Sequence, residues 1–205
     1  MRFTFYAALA LSFVSAAFAL PSAGGNAVGI ENAIKSLDTQ VAAMGSTIQT
    51  FNGSVNVAFT IHSDAVELIK ALAAAASVVK ACLTDRNSKG TSSIADAEGG
   101  LIDQELAALA AKVQLVLQGL IDKRRVFGGT SILFSTAPDS PEVVGVRISG
   151  VIGLVLADLN SLDASVAVFG DALLILLPPK FHDSCKAIFL SVSIQFKAAI
   201  KVYSA

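Results

Sequence analysis

RISGVIGLVLADL, Arg147 to Leu159, is greasy enough to sit in a membrane, yet a guanidinium opens it and the Asp158 carboxylate interrupts it near its end. A helix needs about 20 mainly apolar residues to cross a bilayer, and the uncharged run here reaches only from Ile148 to Ala157. The run is thus too short to span and reads as a buried helix. The other apolar runs, Val113 to Ile121, Ala172 to Pro179 and Ala187 to Phe196, are closed off by charges at both ends. The longest uncharged stretch after the N-terminus, Thr39 to Ser63, is broken up by Gln40, Asn52, Asn56 and His62, for which hydrocarbon is a poor solvent. No transmembrane segment is expected beyond the first twenty residues.

Those twenty read differently. Arg2 supplies a positive end, FYAALALSFVSAAF an apolar core and Ala17-Phe18-Ala19 a small-x-small cleavage site, the pattern of a secretory signal peptide. Residues 1–19 are expected to be removed, leaving residues 20–205 as one helical domain. Loss of Arg2 takes 15 Lys+Arg to 14 against 16 Asp+Glu, a balance that gives no footing for nucleic acid or an anionic bilayer. With 54% hydrophobic and only 15% charged residues, and a mean hydropathy of +0.67, the chain has little polar surface to spread over its exterior. Either its core is unusually large, or apolar surface is kept for a ligand or an interface.

Helical spacing continues from that stretch in both directions. Ile30, Ile34, Leu37, Val41, Met44, Ile48 and Phe51 form one stripe that ends at Asn52-Gly53. A second helix is expected over Val57 to Leu83, followed by a polar loop, TDRNSKGTSS. A third carries Ile102, Leu106, Leu109, Val113, Val116 and Leu120 toward Lys123-Arg124-Arg125, charges that suit a helix C-terminus. After a turn-rich connection, Ser140-Pro141 has the form of a helix start, and Val144, Ile148, Ile152, Val155, Leu159, Leu162, Val166, Phe169 and Leu173 keep the spacing to Pro178-Pro179. A last helix aligns Phe181, Ile188, Val192, Gln195, Phe196, Ala199 and Tyr203. The expected fold is all-α, a bundle of about five long amphipathic helices.

No catalytic constellation is visible. His62 and His182 are the only histidines and neither stands in metal-ligand spacing, so no metal and no cofactor is expected. His182-Asp183-Ser184-Cys185 juxtaposes suggestive residue types, but neighbours on a helix point about 100° apart and do not build a triad. The chain is therefore not expected to be an enzyme. Asn52-Gly53-Ser54 is a glycosylation sequon in a loop, making Asn52 a candidate for sugar. If the helices alternate in direction, Cys82 and Cys185 lie at the same end of the bundle, where they would either pair as a disulfide or remain two buried thiols.

Two features suggest binding. Gly145, Ser149, Gly153 and Ala157 fall four apart, a lane of small residues that either lets a neighbouring helix come close or leaves a groove. Ser191 and Gln195, also four apart, border the apolar stripe of the last helix, where they either satisfy a backbone group or meet the polar end of a ligand.

The last helix, IQFKAAIKVYSA, with the preceding LLPP and the opening IKSLDTQVAAMGSTIQTFNG, resembles the fungal hydrophobic surface-binding protein A family, also called cell wall galactomannoproteins, over roughly residues 26 to 204. The resemblance implies a secreted or wall-associated bundle without enzymatic activity that adsorbs to hydrophobic surfaces, can recruit a secreted esterase such as cutinase, and in some members holds a fatty acid between its helices. On that reading Gly145, Ser149 and Gly153 form one wall of a lipid site, Phe196 belongs to the other, and Gln195 or Ser191 lies near the polar head. The alternative is a structural wall mannoprotein whose apolar residues are all core.

Overall fold

The computed structural model describes residues 26–89, 94–128, 131–134, 144–147 and 150–205. The expected signal peptide lies outside them. Five long helices carry the fold: α1 (Asn26–Thr50), α2 (Val55–Lys89), α3 (Asp96–Gly128), α4 (Gly150–Leu176) and α5 (His182–Ser204). A short 3₁₀ turn, Pro179–Phe181, leads into α5.

Each helix buries most of the stripe that its spacing marks out. Ile30, Ile34, Leu37, Val41, Met44, Ile48 and Phe51 of α1 are all buried, as are Ile61, Ala65, Leu68, Leu72, Ala76 and Val79 of α2. The chain leaves α1 through Asn52, whose Oδ1 accepts from the Ser54 backbone N–H at 3.2 Å, and through Gly53, whose φ of 95° is a conformation that L side chains rarely adopt.

The boundaries depart from expectation in two places. Helix α2 does not stop at Leu83 but runs into the expected loop as far as Lys89. Its last turns are polar but contain no glycine or proline, and a polar face is no obstacle to a helix end that needs only solvent. The second departure is larger. Ser140-Pro141 lies outside the described residues, but the helix expected from there does not run through residues 144–147: β1 (Ser131–Phe134) and β2 (Val144–Arg147) pair antiparallel, with Leu133 opposite Gly145, and α4 starts at Gly150. Val144, Ile148 and Ile152 have helical spacing, but V-G-V-R equally fits a strand, and Gly145 and Gly150 lower the helix propensity that would have decided between them.

The helices close a ring in the order α1, α2, α4, α5, α3 and back to α1. Polar ties between neighbours fix their directions. Lys35–Glu105 (3.5 Å) and Lys112–Asp38 (2.6 Å) hold α1 parallel to α3. Ser184 donating to Asp103 (2.9 Å), Gln114 to Ser191 (3.1 Å) and the Tyr203 hydroxyl to the Leu120 carbonyl (2.8 Å) hold α3 parallel to α5. At the end where α1, α3 and α5 finish, Phe51 stacks on Phe127 with centroids 4.1 Å apart, and Tyr203 meets Phe127 edge-on. The basic cluster of α3 serves its neighbours there: Lys123 donates to the Phe51 carbonyl at 2.8 Å and Arg124 to that of Val202 at 3.2 Å. Cations thus meet the negative ends of two other helices, an arrangement favoured by the helix dipole.

Helix α4 is, among the described residues, the one helix long and apolar enough to cross a membrane by length and composition alone. Counting only the uncharged run from Ile148 understated it, because the helix continues past Asp158 to Leu176. Here Leu159, Leu162, Phe169 and Leu173 face the other helices.

Candidate functional site

A ring of five helices leaves an axis for side chains to fill, and in its middle third they do not fill it completely. A slot runs there between all five helices. Leu37 and Val41 of α1, Leu68 and Leu72 of α2 and Leu109 and Val113 of α3 form one side. Leu162, Val166 and Phe169 of α4 and Phe189, Val192 and Phe196 of α5 form the other. The free volume is small, about 50 Å³, so the slot is thin. Every residue that lines it is aliphatic or aromatic. Such a wall offers nothing to water and nothing to a charged solute, but it matches a hydrocarbon chain.

Polar groups stand just beside it. Ser191, between the lining residues Phe189 and Val192, donates to the Ile188 carbonyl at 2.7 Å and accepts from Gln114 of α3. Of the two roles open to Ser191, backbone satisfaction is therefore the one realised, with the Gln114 amide as an added partner that sequence spacing gave no sign of. Gln195, half-buried, precedes Phe196 without lining the slot.

A second interior polar pair lies toward the Phe51 end. His62 Nδ1 is 3.0 Å from both carboxylate oxygens of Asp158, joining α2 to α4. Burial pushes the Asp158 carboxyl above its ordinary value, and the His62 hydrogen bond and charge pull it part of the way back. Asp158 borders a small cavity with Met44, Ile61, Leu120 and Val155, and Leu162 is shared between that cavity and the slot. The carboxylate that interrupts the opening stretch was a signal of this pair; its partner, 96 residues away, was not legible.

Of the residues expected to form a lipid site, the structure brings only Phe196 to the slot. The small-residue lane is not a lane: Gly145 lies in β2, Ser149 lies outside the described residues, and Gly153 is exposed, with nothing within 4 Å of where its Cβ would stand. Neither close packing nor a groove wall accounts for Gly153, because the helical phase that aligned it with Gly145 does not exist. The glycines that do permit close approach are elsewhere, above all Gly170, where a Cβ would come within 2.9 Å of the Phe189 ring.

Cys82 and Cys185 are both buried and no disulfide joins them. The expected alternation in helix direction places both toward one end. However, α2 and α5 do not pack along one another, since α4 lies between them in the ring, and of the two outcomes left open for the pair the disulfide is the one not formed. Burial, with Asp103 nearby, pushes the Cys185 thiol up to about 11, far from a reactive thiolate. The neighbouring polar side chains are turned to other uses: His182 Nε2 donates to the Leu177 carbonyl beyond the end of α4, and Ser184 to Asp103. Asn52 is exposed in its turn.

No family model and no curated protein matches the sequence. Solved structures do match the fold. The crystal structure of AfMP4p in complex with palmitic acid superposes with a TM-score of 0.70 at 19% identity, covering 86% of this chain and 99% of that one. Ligand-binding domain 1 of the Penicillium marneffei MP1 protein, complexed with arachidonic acids, gives 0.70 at 12% identity, over 88% and 99% of the two chains. Domain 2 of the same protein, complexed with multiple arachidonic acids, gives 0.70 at 14%, over 90% and 99%. At these identities the likeness is one of fold, the five-helix bundle.

Proposed function

We propose that this chain is a secreted, non-enzymatic lipid-binding protein of the hydrophobic surface-binding protein A type, which holds the hydrocarbon chain of a fatty acid in the slot between its helices. The observation that carries the reading is a continuous, wholly apolar slot at the centre of a helix ring whose fold recurs in proteins crystallised with palmitic and arachidonic acids. An acyl chain needs a dry channel, while its carboxylate needs only one or two hydrogen-bond donors, which Gln114 or Gln195 can supply beside the slot. The slot's thinness means that leucine and phenylalanine side chains must turn or helices part to admit a chain.

Adsorption to hydrophobic surfaces is a second reading with its own support. Leu190 and Ile194 of α5, four residues apart, are 61% and 55% exposed, and Val168 and Ile175 of the adjoining α4 are 51% and 63% exposed. Apolar area of this kind on neighbouring helices suits contact with a waxy or polymeric solid. Recruitment of an esterase such as cutinase to that solid, and residence in the cell wall, follow from the family resemblance.

Native mass spectrometry of protein purified from its own secretion, together with titration by a fluorescent fatty acid, tests the proposal. A co-purified or stoichiometrically bound fatty acid supports the slot reading. Strong adsorption to polyester by a protein that takes up no fatty acid would transfer the function to the outer face. A protein that does neither is the structural wall mannoprotein.

A further inference from the structure

The slot is lined by five helices, and a ligand that enters from the side passes between two of them. We infer that it passes between α4 and α5, and that the Phe189 ring is the gate. This rests on the reading of the slot as an acyl-chain site and adds its route of entry.

On the outside of the α4–α5 seam lies a second concavity, a groove of about 210 Å³ bordered by Ala167, Gly170, Asp171 and Leu174 of α4 and by Leu190 and Ser193 of α5. This groove and the inner slot have two wall residues in common, Val166 and Phe189. Both are half-buried, one side toward each space. At this seam the wall of the slot is one side chain thick.

Two other concavities among the described residues lack that property. The cleft between α1 and α3, bordered by Ile34, Lys35, Asp38, Glu105, Ala108 and Lys112, has no wall residue in common with the slot and is crossed by the two ion pairs between those helices. The small cavity at Asp158 meets the slot only at Leu162, and about 10 Å³ of it can take the centre of a water-sized sphere.

The gate has a seat. The Phe189 ring lies flush on α4 because position 170 has no side chain: a Cβ there would stand 2.9 to 3.1 Å from three of the ring carbons. On the slot side the ring meets buried Phe169 edge-on, with centroids 6.2 Å apart and planes at 80°. Rotating the ring out of this seat breaks its contact with Phe169 and opens the groove toward the slot.

Stopped-flow mixing with a fluorescent fatty acid, run beside equilibrium titration, tests the gate on the full chain. Phe189→Ala should raise the association and dissociation rates together by about tenfold, the fold-change equivalent to losing one aromatic pair contact, with equilibrium affinity much less altered. Phe189→Leu, a milder change that keeps the seam filled, should fall between parent and alanine. Val116→Ala removes a half-buried residue of α3 that faces Gly45 of α1, outside the slot and away from this seam, and should leave the rates near the parent's. Unchanged exchange in both Phe189 variants, or equal acceleration by Val116→Ala, overturns the gate while leaving the slot intact. Failure of the parent to bind the probe at all overturns both.

Discussion

Val192→Phe puts the slot to its most direct test. Val192 is buried at 4% exposure on α5 and lines the slot between Phe189 and Phe196. A phenylalanine there projects a ring into space of which about 50 Å³ admits a water-sized sphere's centre. At ~24 cal/mol per Å³, filling that space recovers at most about 1.2 kcal/mol. Pressing a larger side chain into packed walls costs about 1 to 3 kcal/mol. The two partly cancel, so net stability should change by less than about 2 kcal/mol, which in a chain of this size moves Tm by no more than roughly 8 °C. Binding should suffer more. A ring across a thin slot displaces about three methylenes of an acyl chain, each worth about 0.8 kcal/mol on burial, for a loss near 2.4 kcal/mol or about 60-fold in Kd. Thermal melting and fatty-acid titration of parent and variant measure both quantities. A variant that melts close to the parent and binds within threefold of it refutes the slot as the binding site.

Gly153→Leu, which would plug a groove if the fourth helix carried the expected small-residue lane, should instead change neither Tm nor fatty-acid affinity beyond error, since a Cβ at Gly153 meets nothing within 4 Å; a selective loss of binding would restore the lane. Asp158→Asn should alter the pH dependence of stability. The raised carboxyl holds its proton more tightly in the folded state, so its stabilising contribution is complete below its ordinary value of 3.8 and is lost as pH rises through the folded value. The Tm of the variant relative to the parent should therefore climb with pH across that window, and a flat or falling difference would contradict the assignment. Asn52 is exposed in the turn after α1, and an enzyme that strips N-glycans should lower the mass of the protein secreted by its own host; an unchanged mass rules out sugar at the sequon.

How much of this was open to sequence reading depends on the range of the interaction involved. Helical stripes repeat within one element, so α1 could be read almost to its last residue, and the buried positions from Ile30 to Phe51 are those that the spacing names, with Ala33 added. The same logic placed Phe196 on the inner face of α5, where it lines the slot. It failed at residues 144 to 147, where too few residues separate a period of two from one of 3.6. With β2 there, Gly145 and Gly153 do not share a helix face, while Ser149 lies outside the described residues.

The amino-acid sequence by itself determined the class of the fold, since five apolar stripes of helical period in one chain have to bury against each other. It also determined that the interior would be rich, because so few residues carry charge. Tertiary structure alone decided the ring order, with α4 between α2 and α5, and three consequences followed from it. Cys82 and Cys185 form no disulfide, His62 finds Asp158, and Phe189 closes a seam over Gly170. The last two join residues on helices that need not have been neighbours. A stripe shows which side of a helix turns inward, but the free energy that selects its neighbours is a sum over side chains from several helices packing at once, which no single stretch of sequence contains.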